Sequence, residues 1–140
     1  MGRILIVDDN LDAARALLRL VQRLGHDVDC AADGASALES IRSHRPDLVI
    51  LDVMMPTMDG LDVLARIKGD EATAVVTVVM FSATRDAETI RLARRRGAAD
   101  FWLKGSFDFS ELGPRIAALL ASCPAWIAPP ATDGPNDISA

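Results

Sequence analysis

Several features that would place this chain in a special class are scarce or missing. Its two cysteines, Cys30 and Cys123, fit neither a disulfide framework nor the spacing of a zinc site. We therefore expect reduced thiols, with Cys30 buried as a small apolar side chain at the end of a strand. No apolar run is long enough to cross a membrane, and no secretion signal opens the chain. These absences predict a soluble, cytoplasmic protein without a membrane partner.

Positive charge is also in short supply. The chain has 15 Lys and Arg residues against 20 Asp and Glu residues, for a net charge of -5. Nucleic-acid-binding domains usually carry the opposite sign, so direct binding to DNA or RNA is disfavoured. Half of the 140 residues are hydrophobic, which is typical of one folded domain. We expect this domain at residues 1–121 and a flexible tail, rich in proline and alanine, at residues 122–140.

Short apolar runs alternate with amphipathic patterns along the chain. Five runs lack polar alternation and are typical of strands buried on both faces. They cover residues 4–7, 28–31, 48–51, 75–81 and 101–103. Apolar residues three or four positions apart predict a helix after each run. The chain is therefore predicted to repeat a strand–helix unit five times.

The helix ends are marked by residues that stop helices. The first four helices are predicted to end at or near Gly25, Pro46, Gly69 and Gly97. The fifth is predicted to begin with Asp108 and Glu111, which have the spacing of a capping box. Its buried face is expected to consist of Leu112, Ile116, Leu119 and Leu120.

Repeated strand–helix units favour an α/β fold. Right-handed crossovers would give a doubly wound, five-stranded parallel sheet with five helices distributed over its two faces. The expected strand order is the flavodoxin-like 2-1-3-4-5. In such a sheet, ligands bind beside the carboxyl ends of the strands, near the point where the strand order reverses.

Polar side chains stand at four of these strand ends. They are Asp8 and Asp9 after strand one, Asp52 after strand three, Ser82 after strand four and Lys104 after strand five. Each alone is explained as an ordinary turn, cap or surface residue. Three converging carboxylates would repel one another, and Mg²⁺ would resolve this while leaving coordination positions for phosphate oxygens. Together the groups match the needs of phosphoryl transfer: a carboxylate nucleophile, a metal, a hydroxyl donor and an ammonium.

Sequence strings around these residues carry a family resemblance. They are ILIVDDN at 4–10, PDLVILDVMMP at 46–56, MDG at 58–60 and GAADF at 97–101. In order and spacing the chain is similar to the receiver domain of bacterial response regulators, from residue 3 to about residue 121. Within the loop after the third strand, Asp59 and Gly60 are expected to be structural.

The resemblance implies a role for each acidic residue. Asp52 would accept a phosphoryl group from a phosphohistidine on a histidine kinase or a histidine phosphotransfer protein. Asp8, Asp9 and Asp52 would hold Mg²⁺ together with the backbone carbonyl of Met54. The chain would thus be a signalling phosphoacceptor that catalyses only its own phosphorylation and dephosphorylation.

The resemblance also implies a switch, and here the sequence departs from the family pattern. Ser82 would hydrogen-bond the aspartyl phosphate, Lys104 would pair with it, and Phe101 would move inward in response. The family usually has a proline after the lysine, whereas this chain has Gly105 and an additional Ser106. A cis bond to glycine is much less favourable than one to proline, so we predict a trans bond. We also predict that Lys104 still reaches the acidic cluster, because three carboxylates attract it strongly.

Other functions remain to be distinguished. The leading prediction is a stand-alone receiver that switches binding to a downstream protein, or to a second copy of itself, through helix 4, strand 5 and helix 5. The main alternative is a pseudo-receiver that acts as an interaction scaffold without phosphorylation. An electron carrier on the same fold would need a loop rich in Ser, Thr and Gly after strand one, where this chain is acidic. A dehalogenase-type phosphatase would place its nucleophile after strand one rather than strand three.

Overall fold

The structure is a computed structural model that describes residues 2–55 and 59–121. Its strands are β1 (Arg3–Val7), β2 (Asp27–Ala31), β3 (Leu48–Leu51), β4 (Thr77–Ser82) and β5 (Asp100–Leu103). Its helices are α1 (Leu11–Arg23), α2 (Gly34–His44), α3 (Gly60–Gly69), α4 (Ala87–Arg95) and α5 (Leu112–Ala121), with a 3-10 turn at Phe109–Glu111. The predicted flexible tail at 122–140 lies outside the described residues.

All five strands form one parallel sheet. Their order is β2-β1-β3-β4-β5, as the sequence predicted. Val7 pairs with Leu51, and Leu51 pairs with Met80, so β1, β3 and β4 reach the same edge of the sheet. The predicted fold class is therefore confirmed, and the carboxyl ends of the central strands meet at one edge.

Two apolar clusters cover the two sides of the sheet. We call the first the α2–α4 face, where helices α2, α3 and α4 pack on strand residues that include Leu5, Leu51 and Met80. We call the second the α1–α5 face, where α1 and α5 pack on strand residues that include Ile6 and Trp102. Alternate side chains of each central strand point to opposite faces, which explains why these strands are apolar throughout.

Strand β2 differs from its prediction. It pairs only with β1 and forms an edge of the sheet. Of its five residues only Ala31 is buried, and Cys30 is exposed. The prediction of a buried Cys30 is thus wrong, because an edge strand has no second neighbouring strand to cover its outer side. Strand β4 begins at Thr77 rather than at residue 75, since a turn occupies the preceding residues.

Helix ends largely follow the predicted signals. Gly25 and Gly97 have φ values of 97° and 105°, a conformation that favours glycine. Asp59 caps α3, and its carboxylate accepts a hydrogen bond from the amide of Leu61 at 2.9 Å. None of the helices within 2–55 and 59–121 is long and apolar enough to span a membrane.

The start of α5 differs from the predicted capping box. The carboxylate of Asp108 accepts from the amide of Ser110 at 2.9 Å and caps the 3-10 turn, and α5 itself begins only at Leu112. The carboxylate of Glu111 accepts instead from Arg115. On α5, Leu112 and Ile116 are buried as predicted. The other two predicted core positions, Leu119 and Leu120, are only half-buried.

Candidate functional site

Three carboxylates converge at the edge where β1 and β3 end. Asp8 and Asp9 follow β1, Asp52 follows β3, and the amide of Asp52 donates to the carbonyl of Val7 at 2.9 Å. One oxygen from each carboxylate lies within 4.8 Å of the others. Asp8 and Asp52 are buried, whereas Asp9 is exposed. The predicted convergence is confirmed, because adjacent parallel strands bring their following residues together.

Local hydrogen bonds fix the two buried carboxylates. Asp8 accepts from the amide of Asn10 at 2.9 Å, and Asp52 accepts from the amide of Met54 at 3.3 Å. Each is an Asx-type turn, in which the side chain bonds the backbone two residues further on. Asn10 in turn caps α1 by accepting from the amide of Ala13. The aspartates therefore hold their own loops while their remaining oxygens face the cluster.

Lys104 reaches into the cluster from the end of β5. Its Nζ lies 2.8 Å from Oδ2 of Asp8 and 3.5 Å from Oδ2 of Asp52. The bond to Gly105 is trans, since the described residues contain no cis peptide bond. Both predictions for this residue are confirmed. The Lys104 amide donates a hydrogen bond of 2.9 Å to the Ser82 carbonyl, which continues the β4–β5 pairing. This bond fixes the backbone position from which the Lys104 side chain extends.

The cluster shifts the protonation of its members. Burial raises the pKa of Asp52, because desolvation disfavours the charged carboxylate more than Lys104 favours it, and the charge of Asp8 adds to the effect. Burial opposes the charged form of Lys104. The hydrogen bond to Asp8 and the charge of Asp52 outweigh that cost and raise the pKa of the lysine. The site thus holds three carboxyl groups and one ammonium, and burial disfavours the charged form of Asp52.

The predicted switch residues lie on neighbouring strands. Ser82 is fully buried at the end of β4, and its Oγ accepts from the amide of Thr84 at 3.3 Å. Phe101 is half-buried on β5, pairs with Met80 in the strand register, and packs against the α2–α4 face. Trp102 points to the opposite face, and its Nε1 donates to Asp100 at 2.9 Å. The role predicted for Phe101, an inward movement of its ring, stays a prediction.

Sequence reasoning missed one contact at the site, that of Phe81, and predicted a structural role for Gly60 without the close approach behind it. The ring of Phe81, which precedes Ser82, lies 5.7 Å from the Nζ of Lys104, within the range of a cation–π interaction. Gly60 approaches the backbone of Asp52 and Val53 so closely that a Cβ would overlap the Asp52 carbonyl oxygen and lie 2.8 Å from the Val53 Cα. A glycine at the start of a helix just after the acidic strand was the available signal.

The donor set fits a hard divalent cation. Three carboxylates within 4.8 Å of one another offer the oxygen ligands that Mg²⁺ prefers, and the exposed Asp9 leaves one side open to water or phosphate. The Met54 side chain is exposed, and the role of its carbonyl as a further ligand stays a prediction.

Comparison with known proteins agrees with this geometry. The family model for the response regulator receiver domain matches residues 4–117 of the chain. Response regulator MprA of Mycobacterium tuberculosis is 39% identical over 118 residues, which cover 84% of this chain and 50% of that protein. MprA of Mycolicibacterium vanbaalenii is 40% identical over 120 residues, with the same coverage. The chain therefore spans about half the length of these curated relatives.

Solved structures show the same architecture. The receiver domain of a Francisella response regulator matches with a TM-score of 0.78 and 26% identity, over 86% of this chain and 98% of that one. A CheY-like receiver domain protein from Methanospirillum hungatei matches with a TM-score of 0.80 over 86% of this chain and 94% of that one; at 22% identity it supports the fold alone. With the family model, the relatives and the acidic site in agreement, the chain belongs to the response regulator receiver domains, the phosphoacceptor modules of two-component signalling.

Proposed function

We propose that Asp52 accepts a phosphoryl group from a phosphohistidine and that this changes the binding of a downstream protein. The observation that carries the proposal is the position of Lys104, whose ammonium lies 2.8 Å from Asp8 and 3.5 Å from Asp52. A fixed ammonium beside a buried carboxylate is what a phosphorylated aspartate needs to offset its added negative charge. The expected location of this reaction is the cytoplasm.

The transfer assigns one task to each group. An oxygen of Asp52 attacks phosphorus, the phosphorus–nitrogen bond of the donor breaks, and the imidazole leaves with the electron pair and takes up a proton. Lys104 pairs with the transferred phosphoryl oxygens, and the Ser82 hydroxyl donates to one of them. Asp8, Asp9, Asp52 and the Met54 carbonyl would hold Mg²⁺. When bound, this ion gathers phosphoryl oxygens and reduces the repulsion between them and the carboxylates.

The phosphoacceptor is tested by Asp52→Asn. The chain is exposed briefly to acetyl phosphate with Mg²⁺, and the mass gain of one phosphoryl group is followed by intact-protein mass spectrometry. We expect wild type and the matched control Asp29→Asn, an exposed residue of β2, to be labelled and Asp52→Asn to remain unlabelled. Equal labelling of Asp52→Asn and wild type would refute the assignment.

The metal site is tested separately by Asp9→Ala. Loss of one hard oxygen ligand should weaken Mg²⁺ binding by roughly tenfold in an NMR titration of the unphosphorylated protein. Asp12→Ala is the matched control, because Asp12 is an exposed carboxylate in the first turn of α1 outside the cluster. Unchanged affinity in Asp9→Ala would remove this residue from the metal site.

The output is proposed to act through α4, β5 and α5. Support comes from Phe101, which lies on β5 between these helices, and from the exposed arginines at the end of α4. The partner there is a downstream protein or a second copy of the chain. An interaction scaffold that ignores phosphorylation is the alternative, and it predicts partner binding that is the same for wild type and Asp52→Asn with and without acetyl phosphate.

A further inference from the structure

Arg96 joins the end of α4 to the beginning of α3. It is the C-terminal cap of α4, and its amide donates to the carbonyl of Leu92 at 2.9 Å. Its side chain crosses to the neighbouring helix, where Nη1 donates to the backbone carbonyl of Leu61 at 3.1 Å and lies 3.5 Å from Oδ1 of Asp62. The backbone and the side chain of one residue therefore connect the last turn of α4 with the first turn of α3.

Of these two contacts, the one with the backbone carbonyl is the stronger. The Asp62 side chain is 65% exposed, and an exposed ion pair at 3.5 Å contributes little. Leu61 is buried, and its carbonyl oxygen has a second lone pair beyond the one used within the helix. A charged donor strengthens the bond to this oxygen. Arg96 is therefore tied to the position of the α3 backbone more than to the charge of Asp62.

The first turn of α3 is itself tied to the strand end that carries Asp52. The amide of Gly60 donates to the carbonyl of Val53 at 2.7 Å. Gly60 also packs directly on the backbone of Asp52 and Val53, where a Cβ would overlap the Asp52 carbonyl oxygen. A glycine has no side chain that could absorb a displacement at this contact. A movement of the backbone after β3 therefore moves the carbonyl of Leu61, which follows Gly60 in the same helix.

The opposite end of α3 is held by Lys68. Its Nζ donates to the carbonyl of Ala74 at 3.0 Å and to that of Val76, in the segment that leads into β4. Gly97, which follows Arg96, lies against the stem of this lysine, and a Cβ on the glycine would be 3.1 Å from the Lys68 Cγ. A displacement at the start of α3 is therefore a change in the tilt of the helix. Arg96 extends from the end that is held to the end that moves.

We propose that Arg96 couples the state of Asp52 to the position of α4. The amide of Met54 donates to Oδ1 of Asp52 at 3.3 Å. A phosphoryl group on that carboxylate disturbs this bond and displaces the backbone after β3. The displacement reaches the carbonyl of Leu61 through the direct packing of Gly60, and Arg96 carries it to the last turn of α4.

This connection is separate from the one through Ser82 and Phe101, which lie on β4 and β5. It rests on the proposed function for the signal at Asp52 and for the role of α4 as an output surface. The buried part of α4 is Ala93, so the helix is held by limited packing, and one hydrogen bond to its neighbour can bias its position. Arg96 acts through Leu61 and is therefore a positioning residue.

The first experiment does not depend on phosphorylation. Gly60→Ala displaces the start of α3, and its effect on the amide chemical shifts of residues 92–95 is measured by NMR on the full chain. The same measurement is made in the background of Arg96→Gln and of the control Arg66→Gln, an exposed arginine on α3. We expect the effect of Gly60→Ala on α4 to be roughly twofold smaller with Arg96→Gln and unchanged with Arg66→Gln. Equal effects in both backgrounds would overturn the proposal.

A further variant separates the carbonyl contact from the ion pair. Asp62→Asn removes the charge of Asp62 and leaves the Leu61 carbonyl in place. We expect the effect of Gly60→Ala on residues 92–95 to be the same in Asp62→Asn as in the wild-type background. A reduction as large as that caused by Arg96→Gln would show that the ion pair carries the coupling and would overturn the route through the carbonyl.

The closing experiment uses beryllofluoride with Mg²⁺ as the phosphoryl mimic. The amides of Asp52 and Val53 report whether the mimic is bound, and those of residues 92–95 report the response of α4. We expect Arg96→Gln to show the wild-type change at Asp52 and Val53 and a roughly twofold smaller change in α4. An undiminished α4 response would overturn the role of Arg96. No change at Asp52 and Val53 in wild type would instead refute the proposed phosphoacceptor, and the comparison with Gly60→Ala would then decide the role of Arg96 alone.

Discussion

The two faces of the sheet are built from the same strands but are packed differently. On the α2–α4 face, three helices cover aliphatic side chains, and the fully buried members include Leu64 and Ile67. On the α1–α5 face, two helices cover a mixed surface in which Phe81, Phe107 and Phe109 contact one another at 5.2–6.3 Å between ring centroids. A cavity of about 280 Å³, lined by residues that include Leu17, Phe81 and Phe109, opens on this second face.

The two faces therefore contribute differently: the α2–α4 face is closely packed, whereas the α1–α5 face leaves space next to the site. Alternating strand residues force each face to be covered, but they do not require equal coverage. On the α2–α4 face, Val49 and Leu51 of β3 pack in one cluster with Leu61 and Leu64 of α3, next to Asp52. The α1–α5 face contacts the Lys104 side chain through Phe81 and leaves space beside it. Three comparisons of variants test this contrast and a fourth tests the exposed end of α4, in order of decreasing expected effect.

The largest effect is expected from core truncation on the α2–α4 face. Leu64 is completely buried, and Leu64→Ala should lower the free energy of unfolding by about 4 kcal/mol. Leu17→Ala on α1 should cost only about 2 kcal/mol, because Leu17 already borders the cavity and has fewer packed neighbours to lose. Urea denaturation of both variants measures the difference. Equal losses of unfolding free energy in the two variants would show that the two faces are packed equally well.

Gly60→Ala is expected to follow. The added Cβ overlaps the Asp52 carbonyl oxygen, so the start of α3 must move away from the acidic strand end, at a cost of about 1–3 kcal/mol. Labelling by acetyl phosphate should slow as Asp52 is displaced. Gly69→Ala is the matched control on the same helix, because nothing lies within 4 Å of its Cβ position. A Gly60→Ala protein as stable and as reactive as Gly69→Ala would contradict the close approach.

A smaller effect is expected from Phe81→Leu. Removing the ring beside Lys104 should cost about 1 kcal/mol of charge stabilisation, which corresponds to about a fivefold lower rate of phosphorylation. Phe107→Leu removes a ring from the same aromatic cluster without touching the Phe81–Lys104 contact. Stopped-flow kinetics of both variants with acetyl phosphate would separate a loss of packing from a loss of lysine positioning. Identical slowing would assign the effect to packing.

The smallest effect on the domain itself is expected from Arg95→Glu. Arg95 is exposed in the last turn of α4, and its reversal should change the free energy of unfolding by only about 0.5 kcal/mol. A charge reversal at Arg91 would also break its ion pair with Glu88, so Arg95 is the better position to change. We expect Arg95→Glu to weaken association with a partner, or with a second copy of the chain, more than it alters phosphorylation. The reverse order of effects would refute a role of α4 in binding.

The sequence predicted the sheet because its signals are local and redundant. Apolar runs of residues 4–7 and 48–51 locate central strands, and the order of a parallel sheet then brings Asp8 and Asp52 together. Burial at the edge was not predictable in the same way. Cys30 belongs to a run with an apolar neighbour, and only the position of β2 at the edge of the sheet decides that its side chain is exposed.

The start of α5 and the contact of Phe81 with Lys104 could not be predicted from the sequence either. Asp108 and Glu111 have the spacing of a capping box, yet a 3-10 turn and the ion pair with Arg115 satisfy them separately. The contact of Phe81 with Lys104 joins residues on different strands, and nothing in either local pattern specifies it. Local patterns therefore located the acidic residues, while the supports around them depend on packing between distant segments.

The trans bond between Lys104 and Gly105 changes what determines the position of the ammonium. Without a ring-constrained residue after the lysine, the loop does not dictate where the long side chain ends. Its partners do, and the nearer one is Asp8 rather than Asp52. We therefore expect Lys104 to respond to charge in its surroundings. A phosphoryl group on Asp52 would draw the ammonium away from Asp8, so the orientation of this one side chain would report whether the site is phosphorylated.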